Sequence, residues 1–162
     1  MSVNRINWLW QQSQARIAQV LTTSELFEHE ALYTRALIVF SVADFEVQLK
    51  DAYESFFLKK THTIAPIPNR QTNNHRKLLY RGLKFDQLIF SLELANLPLA
   101  HYVKQRWNGT NEQSALTLLV QDRHYIAHGE ESRITVSYSD CLIRVNESTV
   151  LVSDIVQRIN AL

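Results

Sequence analysis

The sequence predicts an all-α fold, a single-domain bundle of four to six helices, and three observations support it. The chain has 162 residues, of which only three are glycine and three are proline. So few turn-forming residues disfavour a β-sandwich or barrel, which needs frequent tight turns. Apolar residues recur at helical spacing, and several segments begin with a helix-capping pattern. A chain of this length can bury a continuous core, so one domain over residues 1–162 is expected.

The composition indicates an ordinary folded protein without membrane segments. Hydrophobic residues make up 46% of the chain and charged residues 20%, and the formal net charge is +1. The single cysteine, Cys141, cannot form an internal disulfide, and residues Met1 to Gln14 lack the apolar core of a signal peptide. The stretch Ala36 to Phe45 is too short to span a bilayer. These features predict a cytoplasmic protein, in which attraction to nucleic acid must come from local patches.

The first half of the chain predicts two helices and a weaker third. An amphipathic stripe predicts the first helix, and its apolar members are Ile6, Leu9, Trp10, Ile17, Val20 and Leu21. Thr22 and Glu25 have the spacing of a capping box, which predicts a long, central helix from about Ser24 to Lys60. The prolines of residues 66–69 should end any helix there. A weaker helical pattern follows from about Thr72 to Tyr80, and Gly82 is its expected stop.

Two more helices are predicted before residue 130. Asp86 is positioned to cap a helix that continues as far as Pro98. A turn is expected at residues 108–109, and Thr110 with Gln113 then forms a second candidate capping box. The helix that begins there carries the apolar or aromatic residues Leu116, Leu119, Val120, Tyr125 and Ile126. Gly129 occupies the position at which a glycine commonly ends a helix.

The C-terminal segment is consistent with two structures. Residues Thr135 to Tyr138 alternate in polarity, as a short strand does. Alternatively, Ser139 or Asp140 caps a last helix, and the helical spacing of the later apolar residues favours this interpretation. Those residues are Leu142, Ile143, Val150, Leu151, Ile155 and Ile159.

The segment of residues 121–130, Gln-Asp-Arg-His-Tyr-Ile-Ala-His-Gly-Glu, carries the candidate chemistry. On a helix, Arg123 and His128 are separated by about 7.5 Å along the axis and by roughly 140° around it. His124 and His128 are four residues apart and share a face. The helix dipole favours positive charge at a C-terminus, and Glu130 and Glu131 act in the same direction if they lie close. We therefore expect His128 to be readily protonated near neutral pH.

An arginine and a titratable histidine are the groups that metal-free RNA cleavage requires. The forked guanidinium of Arg123 suits bidentate contact with a phosphate. A protonated His128 is able to contact a phosphate or to transfer a proton while the ribose 2′-hydroxyl attacks. These two residues are the candidate catalytic pair, and His124 is a candidate for substrate binding or support.

This segment resembles the HEPN superfamily, which is marked by an arginine, a polar residue and, a few residues later, a histidine on a late helix. Arg123, His124 and His128 match that pattern, and residues 126–129 match the usual surroundings of the histidine. The long apolar second helix with Phe45-Glu46 is similar to prokaryotic members, particularly the RiboL-PSP group. The resemblance follows the helix order over most of the chain but is specific over about ten residues.

The resemblance implies a metal-independent endoribonuclease without a cofactor, which leaves a 2′,3′-cyclic phosphate or 3′-phosphate and a 5′-hydroxyl. It also implies a homodimer that brings two Arg…His motifs into one cleft, with RNA as substrate. Many family members are toxins or antiviral-defence effectors, and an antitoxin protein is a possible partner. One subgroup has a tyrosine two residues after the histidine, which its antitoxin modifies. Here Glu130 occupies that position, which puts this control mechanism in doubt.

Several structural alternatives remain open for these residues. Arg123 could be a surface arginine paired with Asp122 or a glutamate, and His128 an ordinary helix-ending residue. His124 could simply keep its turn solvated. The spacing of His124 and His128 also suits two zinc ligands, but no nearby third histidine or cysteine supports a metal site.

Other features outside this segment also allow two interpretations. A basic stretch could steer RNA or be a solvated helix face; it comprises Arg70, His75, Arg76, Lys77, Tyr80, Arg81 and Lys84. Glu46, with Asp44, could support Arg123 or lie on a partly exposed face. The pair Trp8 and Trp10 is interpreted as core or dimer packing. For the whole protein, the alternatives to an RNase are a non-catalytic domain that binds RNA, nucleotide or a partner, and a purely structural dimerisation module.

Overall fold

The computed structural model describes residues 8–14, 22–61 and 82–162, and in these ranges the chain is helical without a β-strand. A first helix, α1, covers residues 8–14. The longer helices are α2 (Thr23–Thr61), α3 (Phe85–Ala95), α4 (Leu97–Trp107), α5 (Asn111–Ala127) and α6 (Tyr138–Asn160). A short 3₁₀ turn, Glu131–Arg133, lies between α5 and α6. The predicted all-α class is confirmed.

The start of α2 confirms the predicted capping box. The carboxylate of Glu25 accepts hydrogen bonds from the Thr22 backbone N–H at 2.8 Å and from the Thr22 hydroxyl at 2.7 Å. In return, the Glu25 N–H donates to Thr22 Oγ1 at 3.4 Å. These bonds satisfy backbone groups that the first turn of a helix leaves without partners.

The region of α3 and α4 corrects the sequence prediction. The cap position of α3 is Lys84, which makes no side-chain capping bond, and Asp86 lies inside the first turn instead. The helix ends at Ala95, and Asn96 then caps a separate helix by accepting the Leu99 N–H at 2.9 Å. Pro98 lies in the first turn of α4, where its missing N–H costs no helical bond. The proline therefore helps to begin a helix that the sequence interpretation did not include.

The caps of α5 and α6 are local hydrogen bonds of the same kind. The Thr110 hydroxyl accepts the Gln113 N–H at 3.3 Å, which confirms this predicted cap. The favoured C-terminal helix is also confirmed, but its cap is Ser137, whose hydroxyl accepts the Asp140 N–H at 3.1 Å. The predictions of Ser139 or Asp140 as the cap, and of a strand at residues 135–138, are wrong. Ser137 occupies the cap position because its hydroxyl also donates a hydrogen bond to the carboxylate of Asp140, three residues later.

The core lies where α2, α5 and α6 pack against one another, with α3 and α4 alongside. Its fully buried members include Leu37, Ile38, Leu49, Leu88, Leu116, Leu119, Leu151 and Ile155. Trp107 joins α4 to α6 by donating its indole N–H to the Asp154 carboxylate at 2.9 Å. One face of α5 therefore packs in the core, while the opposite face is exposed to solvent.

Several predictions concern residues outside the described ranges. These are the proline break at residues 66–69, the helix from Thr72 to Tyr80, most of the first amphipathic stripe and the basic stretch apart from Lys84. Within the described ranges, every helix is too short or too polar to span a bilayer.

Candidate functional site

The C-terminal end of α5 is closed by a glycine turn. Gly129 has a positive φ of 70°, a conformation that a residue with a side chain adopts at a cost. Its N–H donates to the Ile126 carbonyl at 3.3 Å, and the Glu130 N–H donates to the Tyr125 carbonyl at 2.8 Å. This pair of bonds is the Schellman motif, which satisfies the last helical carbonyls. The predicted role of Gly129 is confirmed, and the turn fixes the backbone of His128 at the helix end.

The three candidate site residues all have exposed side chains on this end of α5. The rings of His124 and His128 lie 4.2 Å apart between centroids, with an angle of 56° between their planes. The predicted sharing of one face is therefore confirmed. In the described part of the chain, neither imidazole has a hydrogen-bonding side-chain partner, so both keep nitrogens available to a ligand.

The residue before Arg123 faces the interior. Asp122 is buried, and its carboxylate forms an ion pair with Arg144 of α6 at 3.1 Å. Burial raises the pKa of Asp122, while the positive charge of Arg144 opposes that rise. The alternative pairing of Arg123 with Asp122 is therefore wrong. Arg123 is exposed, and among the described residues no side chain forms an ion pair or hydrogen bond with it.

A second arginine lies at this end of α5, over Tyr125. Arg133, in the 3₁₀ turn, pairs with Glu130 at 2.7 Å and places its guanidinium carbon 4.4 Å from the centroid of the Tyr125 ring. The hydrogen bond from Arg133 lowers the pKa of Glu130, and the charges of Arg133, His124 and His128 add to that effect. Glu131, by contrast, turns away to pair with Arg35 of α2.

Sequence reasoning did not identify Arg133. It stands five residues after His128, outside the helical spacing that groups the other candidates. Only the reversal of the chain at Gly129 and the following 3₁₀ turn bring it back over Tyr125. A signal was present in the three-residue spacing of Glu130 and Arg133, which allows an ion pair within one turn.

A cleft of about 630 Å³ opens next to Arg123, between α2, the start of α3 and α5. Arg123, His124 and Tyr125 contribute to its wall. The other lining residues are Val42, Glu46, Gly82, Leu83, Lys84, Phe85, Asp86, Gln87, Gln113, Thr117, Val120 and Gln121. Glu46 thus shares a cleft with Arg123, but the described structure has no ion pair between them.

Two further predictions concern metal binding and the tryptophans. Within residues 8–14, 22–61 and 82–162, no cluster of three or more His, Cys, Asp or Glu side chains is arranged to hold a metal ion. Trp10 packs on Tyr138, with 4.6 Å between ring centroids, which agrees with a packing role. Trp8 is 57% exposed.

Comparison with known proteins identifies a family that spans almost the whole chain. The family model described as RiboL-PSP-HEPN matches residues 4–161, almost the whole chain. Searches of curated proteins and of solved structures returned no match. Because the matched region includes every described helix and all three candidate site residues, the chain belongs to the RiboL-PSP-HEPN family.

Proposed function

We propose that this protein is a metal-independent endoribonuclease in which Arg123 and His128 act at the cleft of a homodimer. The observation that supports it best is the exposed guanidinium of Arg123, which has no partner among the described residues and lies on the helix that carries the His124–His128 pair. An arginine and two imidazoles at one helix end, none with a side-chain hydrogen-bond partner among the described residues, suit a phosphodiester, which needs a cation and proton-transfer groups. Membership of the RiboL-PSP-HEPN family supports the same activity.

In the proposed reaction, the ribose 2′-oxygen attacks the neighbouring phosphorus and loses its proton to a base. The bond from phosphorus to the 5′-oxygen breaks, and that oxygen receives a proton. Arg123 holds the phosphate and stabilises its added negative charge. His128 donates the proton to the 5′-oxygen, and His124 supports substrate binding. The products are a 2′,3′-cyclic phosphate and a 5′-hydroxyl.

A homodimer supplies the groups that one chain lacks. Acid, base and phosphate clamp are three tasks, whereas one Arg…His motif offers two groups. A symmetric interface that brings two copies of the α5 end together doubles the set, and the second His128 is then the base. We further propose that the enzyme acts in the cytoplasm as a toxin or antiviral-defence effector, and that an antitoxin protein is a candidate partner.

The test is cleavage of RNA by purified protein in the presence of EDTA, with analysis of the product ends. We expect Arg123→Ala and His128→Ala each to lower the rate by about a thousandfold, since each removes a group that acts in the transition state. Exposed residues of α4 provide matched controls: Arg106→Ala and His101→Ala should cleave at the wild-type rate. Thermal unfolding should be unchanged in all four variants.

Three results would contradict parts of this proposal. Cleavage that persists in both Arg123→Ala and His128→Ala removes these residues from the active site. Tight RNA binding without any product ends indicates a non-catalytic RNA-binding domain instead. The dimer is contradicted if light scattering at the assay concentration gives a monomeric mass while the protein is fully active.

A further inference from the structure

The cleft beside Arg123 has the size and lining of a small-molecule site. Its volume of about 630 Å³ lies within the range of roughly 300–1,000 Å³ that is usual for such sites. Val42, Phe85 and Val120 supply an apolar surface, while Arg123 supplies a cation and His124 an imidazole. An apolar surface next to phosphate-binding groups fits a nucleotide, which combines a flat base with a charged phosphate.

Two half-buried polar side chains in this cleft have no partner among the described residues. They are Glu46, half-buried on α2, and Gln87, half-buried on α3. By contrast, Gln121 donates to the Tyr125 hydroxyl at 2.5 Å, and Gln113 accepts the Gly109 N–H at 2.8 Å. A carboxylate accepts hydrogen bonds and does not donate them. Glu46 is therefore available to accept hydrogen bonds from a ligand that brings N–H groups into the cleft.

The glycine at position 82 also leaves room for the side-chain carboxamide of Gln87. A Cβ atom on Gly82 would lie 2.6 Å from the side-chain oxygen of Gln87, and Gly82 has a φ of 134°. Glycine at this position therefore permits the carboxamide of Gln87 to line the cleft. The carboxamide offers both donors and an acceptor, which complements the acceptor-only carboxylate of Glu46.

We propose that this cleft binds the base on the 5′ side of the cleaved phosphate, and that Glu46 recognises that base as guanine. If Arg123 and His128 cleave RNA as proposed, the phosphate lies at the cationic side of the cleft and its base reaches the carboxylate. Guanine presents two adjacent N–H donors, N1 and N2, which one carboxylate can accept together. Adenine, cytosine and uracil each place an acceptor beside their donor, and a carboxylate repels it. Gln87 is able to donate to the guanine O6.

The first test measures binding without cleavage, in the full-length His128→Ala variant. Calorimetric titration with the four 3′-mononucleotides should give at least roughly tenfold tighter binding of 3′-GMP than of the other three, which is the discrimination expected from a bidentate pair. Adding Glu46→Gln should remove that preference and leave the binding of inorganic phosphate unchanged. Adding Glu28→Gln, an exposed glutamate of the same helix, should preserve the preference.

Equal binding of the four mononucleotides, or a preference for 3′-GMP that survives Glu46→Gln, would overturn the assignment. Selective binding of 3′-GMP that RNA fails to displace would also overturn it, because the occupant would then be a free nucleotide. A melting temperature equal to that of the Glu28→Gln variant establishes that the Glu46→Gln variant is folded.

The second test measures cleavage by the wild-type protein of RNA oligonucleotides that differ in a single base. The product 3′ ends should carry guanosine, and Glu46→Gln should spread cleavage over other bases. Cleavage that depends on Arg123 but occurs equally after all four bases would agree with the proposed RNase activity and would overturn the guanine site. Conversely, selective 3′-GMP binding without any cleavage would support the site and contradict the enzyme.

Discussion

Asp122 and Arg123 are consecutive residues of α5, yet their side chains lie in opposite environments. Asp122 is 8% exposed and is paired with Arg144 next to Cys141, a thiol whose pKa burial raises to about 12. Arg123 is exposed, lines the cleft and has no charged partner among the described residues. The roughly 100° step between helical neighbours directs one charge towards the core and the other towards solvent.

The difference indicates how one helix combines stability with reactivity. A carboxylate placed inside loses its hydration, and the cation of Arg144 offsets part of that cost. A charge at the surface needs no compensation, because water solvates it, and it remains available to a ligand. The inner pair also joins α5 to α6, so the exposed residues stand on a helix that is held in place. The two sides of α5 should therefore respond differently to substitution.

The largest stability effect is expected at the inner pair. Arg144→Met leaves the Asp122 carboxylate buried without a cation, and we expect the free energy of unfolding to fall by about 2 kcal/mol. The matched change on the outer side, Arg123→Met, should lower it by less than about 0.5 kcal/mol, since exposed residues contribute little. Urea unfolding at pH 7 measures both. Equal losses in the two variants would mean that the inner pair has no special structural role.

A smaller effect is expected at the two glycines that flank α5. Gly109 and Gly129 have φ values of 78° and 70°, and a Cβ atom at either position would meet no atom within 4 Å. Alanine should therefore cost about 1 kcal/mol of stability at each site, from backbone strain alone. Only Gly129→Ala should also slow RNA cleavage, because Gly129 fixes the position of His128. Unfolding and cleavage assays on both variants test this. Equal cleavage rates in the two variants would mean that the turn at Gly129 does not affect the reaction.

The smallest expected effect is the change with pH in the contribution of Asp122 to the free energy of unfolding. Since the pKa of Asp122 is raised above its ordinary value of 3.8, the folded state binds a proton more readily than the unfolded state does. Asp122 therefore contributes stability that is fully present below pH 3.8 and is lost as the pH rises through its folded pKa. The free energy of unfolding of the wild type, minus that of Asp122→Asn, should fall over this interval. A difference that rises with pH would mean that Arg144 outweighs burial.

Much of the fold could be predicted because its signals are local. The capping box of Thr22 and Glu25, the Thr110 cap and the Gly129 stop each involve groups within five residues of one another. The errors arose where two local patterns compete. The sequence predicts that Pro98 ends a helix, but Asn96 caps a new helix two residues earlier and makes the proline favourable. It also predicts Asp86 as a cap, although Lys84, two positions earlier, occupies that site.

The sequence alone determined the helical class, the start of α2, both ends of α5 and the grouping of Arg123, His124 and His128 on one segment. These features follow from the 3.6-residue period and from short-range hydrogen bonds, which depend on neighbours in the chain. Only the tertiary structure decided that Asp122 pairs with Arg144, 22 residues away, and so leaves Arg123 unpaired in the described chain. It also decided that Arg133 lies over Tyr125 and that Glu46 shares the cleft of Arg123. Such contacts depend on how helices pack, and helical periodicity does not specify which charges then meet.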